Sequence, residues 1–128
     1  MTKRRSVFSR RSRLARERAS ETDFHHNVYV VLLKPEAAAL RKVRKENPRR
    51  RPDKPCVYVG MTGLSPEERF ANHQQGKQAA RVVRIFGVRL WPELYAHLNP
   101  MPYEAAVVME KELAEDLRQQ GYTVTGGH

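Results

Sequence analysis

The run Val57-Tyr58-Val59-Gly60-Met61-Thr62-Gly63-Leu64-Ser65-Pro66-Glu67-Glu68-Arg69-Phe70-Ala71-Asn72-His73 decides how this chain is read. A short β-type segment, Cys56 to Val59, passes through a glycine-punctuated turn into a helix whose start is written in the sequence. Ser65 suits an N-cap, Pro66 falls at the first helical position where its missing N–H costs nothing, and Glu68 completes a Ser-x-x-Glu capping box. Gly76 is the stop signal, so the helix is expected over about 66 to 75. Arg69 and His73 lie four residues apart and share one face of it. A strand tyrosine and a helical Arg/His pair are therefore expected at the same turn.

Upstream, Asn27 to Leu33 is β-branched and aromatic and predicts a central strand closed by Lys34-Pro35. Glu36 to Asn47 combines alanines with Lys and Arg and predicts a basic, largely exposed helix. Pro48, Pro52 and Pro55 make the following segment an extended basic loop. Downstream, Val82 to Leu90 reads as strand with a bend at Gly87, and Trp91 to Tyr95 as a helical turn or edge segment. Asn99-Pro100-Met101-Pro102 breaks the chain before a long helix of about Tyr103 to Gln120, and Tyr122 to Thr125 reads as a short last strand.

The formal charge of +10 is concentrated in two places. Residues 1–20 and 41–54 each hold eight Lys/Arg and together only three acids, leaving eight bases against eleven acids elsewhere. The positive charge is thus appended to a mildly acidic body, the pattern of nucleic-acid contact through counterion release. Residues 1–22 are expected to be a basic disordered arm, with a transit peptide or a solubilising tail as the other uses of such a composition. Residues 23–128 are expected to form one domain with a basic insertion at about 34–55, whose Arg41, Lys42, Arg44, Lys45, Arg49, Arg50 and Arg51 are the candidate nucleic-acid contacts. The single cysteine, Cys56, excludes an intramolecular disulfide framework and a cysteine-built zinc site. No run reaches the roughly 18 apolar residues of a membrane span, so a cytoplasmic protein, nucleoid-associated or free, is expected.

The last helix carries an anomaly. At 100° per residue Ala106, Met109, Leu113 and Leu117 form one apolar stripe, and Glu110 lies inside it, about 40° from Ala106. Glu104, Glu112 and Glu115 fall on the opposite face. A carboxylate aimed at the core needs a cation, donors or a metal; an ion pair to Arg69 at the edge of the core is one way to satisfy it.

The order of these elements resembles the GIY-YIG nuclease family over about residues 26 to 125. Asn27-Val28-Tyr29 stands where the family has Gly-Ile-Tyr, Tyr58-Val59-Gly60 stands for Tyr-Ile-Gly, Arg69 and His73 for its Arg-x-x-x-His, and Glu110 for its metal-binding glutamate. The segment between the two tyrosines is longer than the family usually has, and the asparagine that many members carry after the glutamate helix has no clear counterpart.

The resemblance implies an α+β fold, with a small antiparallel three-stranded sheet flanked by helices. It also implies a divalent-metal-dependent endonuclease acting on DNA, with RNA left open. On that footing Glu110 holds Mg²⁺ or Mn²⁺, a hard cation suited to one carboxylate plus waters and phosphate oxygens. Arg69 stabilises charge developing on the phosphate, and Tyr29, ahead of Tyr58, orients or deprotonates water. His73 either assists by hydrogen bonding or proton transfer or is a packing residue. Cutting both strands with one site per chain would favour a dimer. The competing expectation is a non-catalytic nucleic-acid-binding module on the same fold, which needs the cations but not Tyr29, Tyr58, Arg69 and Glu110 together.

Overall fold

A computed structural model describes residues 24–76 and 80–127. The basic arm expected over residues 1–22 lies outside them, as does His128. Four strands form one sheet in the order β3-β1-β2-β4: β1 is Asn27–Leu33, β2 Cys56–Thr62, β3 Gly87–Leu90 and β4 Thr123–Gly126. β1 pairs antiparallel with β2 and β3, whereas β4 runs parallel to β2. The sheet is thus four-stranded and mixed, not the antiparallel three-stranded sheet expected. The long return through the last helix sets β4 alongside β2 in the same direction, as a parallel neighbour requires.

Among the described residues four α-helices accompany the sheet: α1 Arg41–Glu46, α2 Pro66–Gln74, α3 Arg81–Phe86 and α4 Tyr103–Gln119. α4 packs on β1, β2 and β4. Its Ala106, Met109, Leu113 and Leu117 are buried as the periodicity requires, within the same core as Val28, Val30, Val57, Val59 and Val124. Both faces of β1 are covered, which is why its sequence is almost continuously apolar. No helix among the described residues is long and apolar enough to cross a membrane.

Two further expectations are corrected. The segment 36–47 is not one exposed helix: a 3₁₀ turn, Pro35–Ala39, precedes α1, and Ala37, Val43 and Asn47 are buried. Asn47 explains the anchoring, because its Nδ2 donates to the carbonyls of Val43 (2.7 Å) and Val124 (2.8 Å) while its Oδ1 accepts from the Val124 N–H at 2.8 Å. A single amide thereby substitutes for a neighbouring strand at the free edge of β4. The run 82–90 is not all strand either. Its first part is α3, which buries Val83 alone, and the strand begins only at Gly87. A Cβ on Gly87 would stand 2.5 Å from the Val83 carbonyl oxygen, so glycine permits the abrupt change from helix to strand. β2 also runs three residues further than expected, to Thr62.

Candidate active site

The capping box forms as the sequence dictates. Ser65 Oγ accepts the Glu68 N–H at 3.1 Å, and Glu68 Oε1 accepts the Ser65 N–H at 3.1 Å. Such a cap stabilises a helix by about 1 kcal/mol, and here it fixes where α2 starts after β2. Along α2, which packs on β1 and β3, Arg69 precedes His73 by one turn, and His73 is wholly buried.

His73 meets Tyr29. The Tyr29 hydroxyl and His73 Nε2 are 2.9 Å apart, and the backbone N–H of Ala80 donates to His73 Nδ1 at 3.2 Å. Because Nδ1 accepts, the neutral ring carries its proton on Nε2 and donates it to Tyr29 Oη. Burial, with the Arg69 charge adding to it, pushes the His73 pKa down to about 4, so the ring stays neutral at physiological pH. Tyr29, 1% exposed, is in turn in hydrogen-bonding contact with Tyr58 and Arg69. That contact adds to the rise of Tyr29 and opposes that of Tyr58. The centroids of the three rings lie 5.8 to 6.2 Å apart.

Tyr58 is the outer member of the pair, half-buried where Tyr29 is fully covered. Both phenols are pushed above their ordinary range, first by burial. For Tyr58 the negative charge of Glu110 adds to the rise, and the Arg69 charge opposes it. Glycine clears the space behind both rings. A Cβ on Gly60 would lie 2.6 Å from Tyr29 Oη, and one on Gly126 would lie 2.8 Å from Tyr58 Cε1.

Glu110 is 9% exposed. Among the described residues no hydrogen bond or salt bridge reaches its carboxylate; the two ion pairs join Arg49 to Glu115 and Arg51 to Asp53. Burial pushes its pKa up to about 7, with Lys111 pulling the other way. The Arg69 charge acts on Tyr29, Tyr58 and His73 instead, so the Glu110–Arg69 ion pair that could have satisfied this carboxylate is not what the structure shows. The five expected site residues therefore gather at one place, with no hydrogen bond or salt bridge to the glutamate among the described residues. No group of three or more His, Cys, Asp or Glu side chains suited to a metal occurs among the described residues. What Glu110 can offer a cation is one hard oxygen donor group, leaving most of the coordination to water and phosphate oxygens.

The remaining candidates separate from this centre. Arg41, Lys42, Arg44 and Lys45 are exposed on α1. Arg49 is ion-paired to Glu115 at 3.4 Å, Arg50 donates to the Asn47 carbonyl at 3.0 Å, and Arg51 makes a two-point pair with Asp53. His26 packs edge-on against Tyr103 and joins Met101 through the backbone. His97 is exposed on a 3₁₀ turn. Cys56 is buried, its thiol pushed up to about 11, which removes it as a nucleophile.

Sequence reasoning missed Asn99. Its side chain accepts from the Val28 N–H at 2.9 Å and donates to the Val28 carbonyl at 2.8 Å, holding β1 one residue before Tyr29. Lying 71 residues away in a proline-flanked break, it gives no local signal. No protein-family model, curated protein or solved structure matches this chain.

Proposed function

We propose that the chain is a divalent-metal-dependent nuclease of the GIY-YIG type and that Tyr29, Tyr58, Arg69, His73 and Glu110 form its active site. The observation that carries this reading is Glu110, a residue 9% exposed whose carboxylate has no hydrogen bond or salt bridge among the described residues and whose charge acts on the same tyrosine as that of Arg69. Buried charge of this kind is costly in a purely structural role and is repeatedly placed where chemistry needs it.

Glu110 is the residue that would hold Mg²⁺ or Mn²⁺, which supplies positive charge to a phosphodiester and acidifies water. Arg69 offers a planar cation to the phosphate oxygens, whose charge grows as the water oxygen attacks phosphorus and the P–O bond to the leaving group lengthens. Tyr58, the accessible tyrosine, orients that water. Tyr29 stands behind it as a positioning residue, its own oxygen fixed by the His73 Nε2–H. This reverses the order in which the two tyrosines rank on sequence alone. His73 holds Tyr29 and does not itself exchange a proton at neutral pH, since its ring is already neutral.

The test is incubation with plasmid, single-stranded and branched DNA, and with RNA, in Mg²⁺, Mn²⁺ or EDTA. Metal-dependent cleavage lost in both Glu110→Ala and Arg69→Ala supports the proposal; metal-independent cleavage, or cleavage undiminished in both variants, contradicts it. The exposed cations of α1 favour one second reading, a nucleic-acid-binding module without chemistry. Retention of nucleic acid without cleavage of any of these substrates would select it.

A further inference from the structure

A groove of about 830 Å³ opens between the basic insertion and the end of the sheet where β1 finishes and β2 begins. Leu33, Ala38, Pro55 and Cys56 line its apolar part, and Lys34, Arg50, Arg51 and Lys54 its charged part, against the single carboxylate of Asp53. Arg51 is already paired with Asp53 and Arg50 leans on the Asn47 carbonyl. Lys54 rests over the Tyr122 ring at 5.3 Å, and Lys34 is exposed at the rim.

Among the residues that line this groove, Leu33 and Cys56 lie on the sheet face of the tyrosines by strand alternation, and Leu32 on the other. Leu33, Val31 and Tyr29 point the same way, and Cys56 and Tyr58 are the register partners of Leu33 and Val31. Leu33 lies four residue steps along β1 from Tyr29, about 13 Å at roughly 3.3 Å per step.

An apolar seat rimmed by cations is complementary to a nucleobase whose flanking phosphates carry the negative charge. We propose that this groove seats one unstacked nucleotide of a single polynucleotide strand, its base against Leu33, Ala38 and Pro55 and its phosphates against Lys34 and Lys54. A base still paired within a duplex cannot present its face to that seat, so the groove selects single-stranded or frayed nucleic acid. The link to the tyrosines rests on the nuclease reading; the binding itself does not.

The test is fluorescence anisotropy on the full chain carrying Glu110→Gln, so that nothing is cut. The probes are a fluorescein-labelled oligothymidylate, its abasic equivalent and a duplex of equal length. The oligothymidylate is expected to bind about tenfold or more tighter than the abasic strand, as one stacked base implies. Ala38→Trp, which fills the seat, should bring the two strands to equal affinity. Lys34→Glu with Lys54→Glu should weaken both strands and flatten the salt dependence by about 0.7 per lost phosphate contact. Equal binding of the abasic and base-bearing strands by the unfilled groove overturns the proposal, and so does an unchanged affinity and salt slope in the lysine variant. Lys34→Glu alone lies on an exposed side chain and reads the same loss of affinity and salt slope should the bulkier change unfold the chain. Cleavage that fails in its own assay while this pattern holds removes the nuclease and leaves the groove; cleavage that succeeds while the pattern fails does the reverse.

Discussion

Tyr29 and Gly60 face each other across the β1–β2 ladder, and the tyrosine hydroxyl occupies the space that a side chain at position 60 would need. An ideal Cβ at Gly60 stands 2.6 Å from Oη and 2.7 Å from Cζ of a ring that is itself 1% exposed and cannot swing away. Gly60→Ala is therefore expected to cost about 1–3 kcal/mol in chemical denaturation and to lower cleavage further than that loss of folded protein explains.

Tyr29→Phe leaves the His73 Nε2–H without its acceptor in a buried position. A loss of about 1–3 kcal/mol is expected. Coupling measured in a double-mutant cycle with His73→Gln should be about 0.5–3 kcal/mol. Additive effects would show that the 2.9 Å contact contributes nothing.

Glu110 sets a pH dependence of stability whose sign follows from its raised pKa. The folded chain keeps the proton up to about 7 whereas an unfolded glutamate releases it near 4.5. Stability is therefore lost as pH rises between those values and stays lower above them. Glu110→Gln removes the charge, so the variant should be the more stable protein at about pH 8, by up to about 3 kcal/mol, and should gain little near pH 4. Urea denaturation at the two pH values checks this. Added Mg²⁺ should narrow the gap at high pH by stabilising only the wild-type.

Asn47→Ala removes two hydrogen bonds to Val124 at the edge of β4 and one to the Val43 carbonyl, leaving the Val124 N–H without its acceptor while the Val124 carbonyl keeps the Arg118 guanidinium at 3.3 Å. A loss of about 2–4 kcal/mol is expected, together with faster hydrogen exchange at the Val124 amide. Unaltered exchange there would mean that the insertion does not brace the strand.

How far the sequence was legible depended on the range of the cause. The start of α2 was written in Ser65, Pro66 and Glu68, because capping is local chemistry, and all three play the expected parts. Glu110 was legible as an anomaly because helical periodicity alone places it in the stripe of Leu113 and Leu117, and it is buried there. α3 was not legible: Val82, Val83 and Ile85 favour strand intrinsically, and it is packing against the core, of Val83 fully and of Val82 and Phe86 in part, that accompanies the helical form. The parallel pairing of β4 with β2 joins distant parts of the chain, and the amide braces of Asn99 and Asn47 reach 71 and 77 residues, which no local pattern announces. The order of the two tyrosines needed the tautomer of His73, and that is set by the backbone N–H of Ala80.

On this account the buried Glu110, whose carboxylate has no hydrogen bond or salt bridge among the described residues, serves metal-dependent cleavage of nucleic acid. The most direct measurement is the initial rate of plasmid nicking at saturating Mn²⁺ for the wild-type chain and Glu110→Gln, both confirmed folded by thermal melting. The expected result is nicking by the wild-type that EDTA abolishes, and a rate in the variant lower by about a thousandfold, a loss of roughly 4 kcal/mol in transition-state stabilisation. Equal rates for the two proteins, or nicking by the wild-type that persists in EDTA, would contradict it.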